Sequence, residues 1–286
     1  CKRPVGSKNP LPLLKLNGYL VKTNPDIIHV HMEGIVKFIK VKKKVPIVRT
    51  IHNITSVNNE YGKFDKLFSI SEAVKIRTQK QGFDSTVIYN GIHFNDIAFE
   101  PKPSNKKTRI VNVGRLENDK GQKTLVSAAK IVKDALGDVF TIDFIGTGKN
   151  EESLKEQVHE NNLQDNVKFW GIQPRSFIYS NLHNYDLYVQ PSLFEGFGLT
   201  IAEAVTAKVP VITSDLEGPM EVIAGGKYGI SFECGNADDL ANKIIAFIKK
   251  EICVDTEAAW KYALENFNIE ATSQKYLDEY KSLVNF

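Results

Sequence analysis

Short apolar runs alternate with amphipathic helical patterns along most of this chain of 286 residues. The first part predicts strands at 27–31, 46–51, 66–70 and 86–89, and helices at 33–43 and 71–81. The second part predicts strands at 109–113, 140–145, 167–170, 186–190, 210–213 and 229–232. Its predicted helices lie at 120–136, 151–161, 175–183, 199–208, 216–224 and 237–249, followed by 256–267 and 269–283. Strands separated by helices pair in parallel, so the pattern predicts two doubly wound α/β domains.

The boundary between the two predicted domains lies at residues 100–107, EPKPSNKK, where prolines and lysines interrupt the pattern. Such a composition is typical of a linker. We therefore predict an N-terminal domain over 1–99, a C-terminal domain over 108–267 and a final helical region over 268–286 that crosses back to the first domain. Two such domains facing each other would bind a ligand in the cleft, at the carboxyl ends of the strands.

Cysteine content and hydropathy argue against several classes of protein. Cys1, Cys234 and Cys253 form no CxxC pair, which argues against a zinc site or a disulfide framework and favours a reducing compartment. No apolar run approaches the roughly 20 residues that a membrane-spanning helix needs. We therefore expect a soluble, cytoplasmic protein without a bound metal.

Positive charge is concentrated at the start of the chain. Residues 1–50 contain eleven Lys or Arg and two acidic residues, whereas the whole chain has a net charge of +3. Within this region, residues 33–44 (EGIVKFIKVKKK) are predicted to form a short basic amphipathic helix. Such a helix can attach a protein to an anionic membrane surface, and it can equally be a solvated helix face; both interpretations stay open. No aromatic interleaving accompanies the basic run, so no nucleic-acid partner is expected.

The stretch from 187 to 204, LYVQPSLFEGFGLTIAEA, is the most informative for function. A predicted strand leads into a glycine-bounded loop with Glu195, and the following predicted helix contains Glu203. The first N–H groups of such a helix lack intrahelical partners and attract anions. A carboxylate such as that of Glu203 can accept hydrogen bonds from a vicinal diol like that of ribose. These features predict a ligand with both phosphate and sugar hydroxyls, namely a nucleotide sugar.

The two glutamates, spaced E-x7-E, resemble a pair found in a known family of enzymes. Six further motifs match in the expected order: VRTIHN (48–53), FSISEAVK (68–75), VIYNGI (87–92), VNVGRLENDKG (111–121), DFIGTGKN (143–150) and VKFWGIQP (167–174). The chain resembles the retaining glycosyltransferases of the GT4 family, which have the two-domain GT-B fold. The resemblance implies transfer of a hexose from a UDP- or GDP-sugar to a hydroxyl of a sugar or lipid-linked acceptor, in polysaccharide or glycolipid synthesis. It implies no metal and no cofactor, and a cytoplasmic enzyme at the inner face of the membrane.

By this resemblance, the donor is bound by three groups of residues. The diphosphate is bound by Arg115, Lys120, Gly114, Leu199 and Thr200. The transferred sugar is contacted by Glu195, Gly196, Phe197 and Gly198. Glu203 binds the ribose, and Gly171 and Ile172 offer contacts to the base.

The implied catalytic residues are Glu195 and His52, because a family histidine reaches the transferred sugar at the position of His52. His29 and His31 alternate on one predicted strand and are interpreted as structural. Lys120 lies in the first turn of a predicted helix, where a positive charge opposes the helix dipole. A bound diphosphate would make that position favourable, which supports a phosphate role for Lys120.

Two other functions remain compatible with the sequence. The family has a glycine-rich loop after its first strand, and no equivalent precedes Asp26. The opening part of the N-terminal domain is therefore expected to be absent, which favours a truncated donor-binding protein without activity as one alternative. The other is a nucleotide-sugar epimerase of the same fold, which would need acidic and histidine groups for proton transfer. We find no such cluster beside Glu195 in the sequence.

Overall fold

The computed structural model of the protein describes residues 11–32, 34–40, 45–53, 60–100 and 106–284. These residues divide into two compact units. The first unit contains the described residues up to Tyr89 and those from Ser273 onward, and the second contains Asn90–Thr272. Each unit is a parallel β-sheet with helices, which confirms the predicted class of two parallel-sheet α/β domains. Most of the proposed linker, residues 101–105, lies outside the described residues, so the linker remains a prediction.

The first unit is built on a four-stranded sheet. Its elements before residue 90 are α1 (Leu11–Thr23), β1 (Ile28–Val30), β2 (Ile47–Ile51), β3 (Lys66–Ser69), α2 (Glu72–Gln79) and β4 (Thr86–Val87). The strands lie in the order β1-β2-β3-β4 and all pairs are parallel. The four predicted strands are confirmed, whereas α1 was not predicted. None of the α1 side chains is fully buried, so its apolar residues show no clear single-faced pattern.

The predicted basic helix at 33–43 is wrong over the described residues. Between β1 and β2 these residues form only a 3-10 turn at Val36–Phe38, and Ile39 already has an extended backbone. Residues 33 and 41–44 lie outside the described part. Branched side chains lose rotamer freedom in a helix, and a segment this short gains little from helix propagation. The segment therefore forms an irregular connection in which Val36 is buried, and it does not form the helix that its amphipathic pattern predicts.

The second unit contains six strands. Its elements are β5 (Thr108–Val113), α3 (Gln122–Leu136), β6 (Phe140–Ile145), α4 (Glu151–Glu160), β7 (Val167–Phe169), α5 (Arg175–Asn181), β8 (Leu187–Gln190), α6 (Leu199–Thr206), β9 (Val211–Ser214), α7 (Glu217–Val222), β10 (Ile230–Phe232), α8 (Ala237–Ile248) and α9 (Thr256–Phe267). The sheet order is β10-β9-β8-β5-β6-β7, with all pairs parallel. The last helix, α10 (Ile269–Leu283), starts in this unit and ends in the first.

The strand order of the second unit determines where a ligand can bind. The sheet has two halves of three strands each, β5-β6-β7 and β8-β9-β10. Each half begins at the centre of the sheet and continues outward to one edge. In a doubly wound sheet of this order, the connections reverse direction between the two central strands and leave a crevice at their carboxyl ends. The crevice of this unit therefore lies where the chain leaves β5 and β8.

The part of α10 that belongs to the first unit packs on its sheet. Tyr276 and Tyr280 lie against Phe68, with ring centroids 5.1 and 6.4 Å away. The hydroxyl groups of Tyr276 and Thr50 are 2.9 Å apart, and the hydroxyl of Tyr280 is hydrogen-bonded to Nδ1 of His29. The helix thus contributes both apolar area and polar contacts to the core of this unit.

Candidate functional site

The two central strands of the second unit are joined by side chains as well as by their backbones. The amide nitrogen of Asn112 donates to the carbonyl of Val189 at 2.8 Å, across the pair β5 and β8. The side-chain amide of Gln122, at the start of α3, donates to the carbonyl of Arg115 at 2.9 Å. Both contacts are buried or partly buried, so the loop after β5 is held close to the end of the sheet.

The loops after β5 and β8 approach each other at Gly121. This residue has φ 66° and ψ 17°, in the left-handed region that glycine adopts readily. A Cβ atom here would lie 1.8 Å from the carbonyl oxygen of Pro191. The backbone N–H groups of Leu193 and Phe194 both donate to the carbonyl of Asp119, at 2.9 and 3.1 Å. A glycine is therefore required for the two loops to meet.

Lys120 lies before the helix and not in its first turn. Residues Asn118–Lys120 form a 3-10 turn, and α3 begins only at Gln122. The prediction of a helix from residue 120 is thus wrong by two positions, because Gly121 interrupts the helical pattern. The side chain of Lys120 is consequently directed by the loop, and the argument from the helix dipole no longer applies to it.

Lys120 and Glu195 form an ion pair across the two loops. The ammonium nitrogen of Lys120 lies 2.8 Å from Oε2 of Glu195, and the two side chains are only 17% and 18% exposed. Asp119 adds a second carboxylate 3.9 Å from the same nitrogen. Arg115 is 68% exposed and lies 3.4 Å from Asp119. The structure therefore brings both predicted cations to one set of carboxylates, with Lys120 partly enclosed and Arg115 at the surface.

The start of α6 offers backbone donors next to this pair. Gly198 precedes the helix with φ 98°, and the N–H groups of Leu199 and Thr200 occupy the first turn, where intrahelical acceptors are lacking. The hydroxyl of Thr200 is engaged, because it accepts from the hydroxyl of Tyr188 at 2.7 Å. Of the predicted residues at this helix, Leu199 and Thr200 can thus reach an anion through their backbone N–H groups.

Two predicted sugar-contacting residues are packed into the protein. The ring of Phe197 is 1% exposed and lies edge-on to Phe267 at 5.3 Å. The carbonyl of Gly196 faces Gly218 at the start of α7, where an added Cβ would lie 2.5 Å from the Gly196 oxygen. Phe197 can therefore contact a ligand only through its backbone.

Glu203 is buried in α6 and is held by two donors. Its side chain is 7% exposed, and its Oε1 atom accepts from the guanidinium of Arg175 and the hydroxyl of Tyr179, both at 2.9 Å. Burial raises the pKa of the Glu203 carboxyl, while the hydrogen bond from Tyr179 and the charge of Arg175 counteract this effect. Neither partner was identified from the sequence. Their spacing of four residues on one predicted helix was the available signal.

The loops after β5, β6 and β7 are linked by backbone contacts. The N–H of Gly146 donates to the carbonyl of Gly171 at 2.9 Å, and a Cβ on Gly146 would lie 1.9 Å from the carbonyl oxygen of Gly114. Gly114 and Gly171 therefore both line the same edge of the sheet. Ile172 follows with its side chain 75% exposed, which makes it available for an apolar contact.

His52 lies in the first unit, directly after β2. Its Nε2 atom is 2.9 Å from Nδ1 of His31, and the rings of His31 and His29 are 4.3 Å apart. Burial and the neighbouring imidazole and guanidinium charges lower the pKa of His52, and burial is the main cause that lowers the pKa of His29 to about 4. The close packing of these rings favours neutral imidazoles. Sequence reasoning treated His31 as structural and missed its contact with His52.

In the described part of the chain, no group of three or more His, Cys, Asp or Glu is arranged to hold a metal ion. No described helix has the length and apolar character needed to cross a bilayer. Cys234 and Cys253 are free thiols.

The fold and these positions define a doubly wound α/β domain with the Lys120–Glu195 pair and the start of α6 at its topological switch point. Residues 94–267 match the family model of glycosyl transferases group 1, and residues 1–96 match that of Glycosyltransferase Family 4. The chain belongs to the glycosyl transferases of group 1.

Two curated relatives are similar to most of the chain. The 2-deoxystreptamine N-acetyl-D-glucosaminyltransferase of Niallia circulans is 29% identical over 267 residues, which covers 80% of this chain and 68% of that protein. The poly(ribitol-phosphate) alpha-N-acetylglucosaminyltransferase of Staphylococcus aureus (strain COL) is 25% identical, and the match covers 77% of this chain but 44% of that protein. The chain thus spans less than half of the second relative.

A solved structure agrees with the fold assignment. Anabaena HepE in complex with UDP and glucose superposes with a TM-score of 0.81 at 22% identity, covering 98% of this chain and 84% of that one. The likeness confirms the predicted GT-B fold class. These comparisons do not favour the epimerase or the inactive donor-binding protein.

Proposed function

We propose that this protein is a retaining glycosyltransferase that transfers a hexose from a UDP- or GDP-sugar to a hydroxyl of a sugar or lipid-linked acceptor, in polysaccharide or glycolipid synthesis. Its membership of the group 1 glycosyl transferases supports sugar transfer, and the UDP and glucose held by HepE support a nucleotide-sugar donor. The observation that carries the proposal is the Lys120–Glu195 ion pair at the switch point, with Glu195 four residues before the start of α6.

The ion pair provides a way to couple donor binding to sugar recognition. Glu195 compensates the charge of Lys120, and a diphosphate, which carries more negative charge than one carboxylate, competes for the same ammonium group. When Lys120 binds phosphate oxygens, the Glu195 carboxylate is released to accept hydrogen bonds from hydroxyls of the transferred sugar. The arrangement thus exchanges one charge-assisted contact for others of similar strength.

The leaving diphosphate needs stabilisation when the bond to the sugar breaks. Arg115, Lys120 and the N–H groups of Leu199 and Thr200 supply positive charge and hydrogen-bond donors at fixed positions, as electrostatic catalysis requires. They take the place of a divalent ion, so the proposed mechanism uses neither a metal nor another cofactor. Gly114 lets the β5 loop approach the phosphates closely.

The other parts of the donor are assigned to the remaining predicted residues. Glu203 binds the ribose hydroxyls, and Gly171 with Ile172 contacts the base. Glu195, with the backbone of Gly196, Phe197 and Gly198, contacts the sugar, and His52 is the proposed catalytic contribution of the first unit. Retention of configuration follows from the family resemblance of the E-x7-E motif.

Replacing Lys120 by methionine tests the diphosphate assignment. Lys120→Met removes a charge-assisted contact worth about 1.5–3 kcal/mol, so UDP affinity should fall roughly 10- to 100-fold. Uridine, which has no phosphate, should bind within about threefold of its original affinity. Both affinities are measured by isothermal titration calorimetry.

Lys123→Met is the matched control for this experiment. Lys123 lies one turn further along, is exposed and carries the same charge, so its loss changes only the long-range field, which salt screens. Equal UDP affinity in Lys120→Met and Lys123→Met would refute the phosphate role of Lys120. Donor hydrolysis by the unmodified chain then tests for turnover.

We also propose that the protein works in the cytoplasm, attached peripherally to an anionic membrane surface through the basic region 1–50. The helix that was expected to do this is absent from the described residues. The support comes instead from α1, where the apolar side chains of Leu14 and Tyr19 are 63% and 65% exposed. Lys15 and Lys22 are exposed on the same helix, which fits an interfacial contact with anionic lipid.

A further inference from the structure

Among the residues that the structure describes, the carboxylate of Glu203 is hydrogen-bonded at one of its two oxygens. Both of its donors, Nη2 of Arg175 and the hydroxyl of Tyr179, contact Oε1 at 2.9 Å. The two donors lie one turn apart on α5, and the guanidinium carbon of Arg175 lies 4.8 Å from the centre of the Tyr179 ring. The three side chains therefore form one compact group between α5 and α6.

The contacts of Arg175 and Tyr179 with Glu203 compensate the cost of burying a charged side chain. Burying an ionised carboxylate that is 7% exposed is unfavourable unless the carboxylate is paired and hydrogen-bonded. One positive charge and one hydroxyl on the same oxygen satisfy this requirement and restrict rotation of the carboxylate about its terminal bond. The other oxygen, Oε2, then has a defined direction and retains its acceptor capacity.

We propose that Arg175 and Tyr179 are positioning residues that orient Oε2 of Glu203 toward the ribose of a nucleoside diphosphate. This inference rests on the proposed role of Glu203 in ribose binding. With Oε2 held in one orientation, the site recognises the ribose 2′- and 3′-hydroxyls together. The pair thus sets the preference of the protein for ribonucleotides over 2′-deoxyribonucleotides.

A purely structural role of the same group would give a different result. If Arg175 and Tyr179 only tied α5 to α6, their loss would change stability and affect UDP and 2′-deoxy-UDP binding equally. If they orient Oε2, their loss lowers UDP affinity more than 2′-deoxy-UDP affinity, because the deoxynucleotide has only the 3′-hydroxyl left to bind this oxygen. The ratio of the two affinities therefore separates the two roles, whatever the change in stability.

The experiment measures the affinity of the full chain for UDP and for 2′-deoxy-UDP by calorimetry. The unmodified protein should prefer UDP roughly tenfold or more, as expected for a hydrogen bond to a charged group. Tyr179→Phe, which removes only the hydroxyl, should reduce the preference at least about threefold. Arg175→Gln should reduce it further, and Arg175→Lys, which keeps the charge, should recover part of it.

Tyr185→Phe is the matched control, because the Tyr185 hydroxyl also donates to a buried carboxylate, Asp143, at 2.7 Å. It should leave the preference unchanged. A preference that is equal in Tyr179→Phe, Arg175→Gln and the unmodified protein would overturn the inference while the ribose role of Glu203 stands. If the unmodified protein shows no preference, or if Glu203→Gln retains it, the ribose assignment itself is refuted.

The pH dependence of the same ratio provides a second readout. The ionised carboxylate of Glu203 accepts stronger hydrogen bonds from the ribose hydroxyls than the protonated acid does, so the preference for UDP should fall as pH decreases through the pKa of this carboxyl. Because the Tyr179 hydrogen bond favours the ionised form, Tyr179→Phe should move this fall to a higher pH. An unchanged pH profile in Tyr179→Phe would contradict the positioning role. Phosphate titration affects both ligands equally and cancels in the ratio.

Discussion

The variant Gly121→Ala tests whether the loops after β5 and β8 depend on the close backbone approach at this residue. Alanine in the left-handed conformation costs about 1–2 kcal/mol. The added Cβ would also lie 1.8 Å from the carbonyl oxygen of Pro191, and relieving such an overlap by backbone movement costs about 1–3 kcal/mol more. We therefore expect Gly121→Ala to lower the free energy of unfolding of the second unit by about 2–5 kcal/mol.

The variant Gly225→Ala separates the cost of the left-handed backbone conformation from the cost of the overlap with Pro191. Gly225 has φ 68° and ψ 22°, nearly the same backbone conformation as Gly121, but nothing lies within 4 Å of its added Cβ. Its replacement should cost only the conformational part, about 1–2 kcal/mol. The difference between the two variants thus isolates the contact with Pro191.

The assay is urea unfolding followed by tryptophan fluorescence. Trp170 and Trp260 are the only tryptophans of the chain, and both lie in the second unit, so the signal reports on the unit that contains the loops. Gly121→Ala should also weaken UDP binding, because a displaced loop moves the neighbouring Lys120. Equal losses of unfolding free energy in both variants, within about 0.5 kcal/mol, would show that the approach of the two loops is not a tight packing contact.

Two further predictions concern the first unit. The ring nitrogens of His29 contact the hydroxyls of Tyr280 and Thr50, and the pKa of His29 is lowered from 6.5 to about 4. The unfolded chain therefore binds a proton more readily than the folded protein. The free energy of unfolding should consequently fall as pH decreases from 6.5 to 4. The loss is at most about 3 kcal/mol, reduced to about 1–2 kcal/mol by partial exposure, and an imidazole pKa near 6.5 by NMR would contradict it. The protein should also bind anionic vesicles in preference to zwitterionic ones in flotation assays. Lys15→Glu with Lys22→Glu should weaken that binding at least roughly tenfold, and equal binding to both lipids would refute the membrane contact.

The strands of both sheets could be predicted because a parallel strand buried on both faces reads as a short apolar run. Helix boundaries were less well predicted. The helix expected from residue 120 starts at Gln122, because the left-handed Gly121 interrupts a pattern that the apolar residues alone would continue. The helix expected at 33–43 fails over the described residues, since its amphipathic pattern carries no information about how the segment packs between β1 and β2.

The order of strands and helices and the positions of Glu195 and Glu203 followed from the sequence alone, because periodicity and turn residues act locally. The partners of those glutamates did not. Lys120 and Glu195 are 75 residues apart in the chain, and Arg175 and Glu203 are 28 apart. They meet only because the doubly wound order places β5 beside β8 and packs α5 near α6. Local patterns determine which residues are buried, whereas contacts between distant charges depend on how the finished sheet arranges its loops.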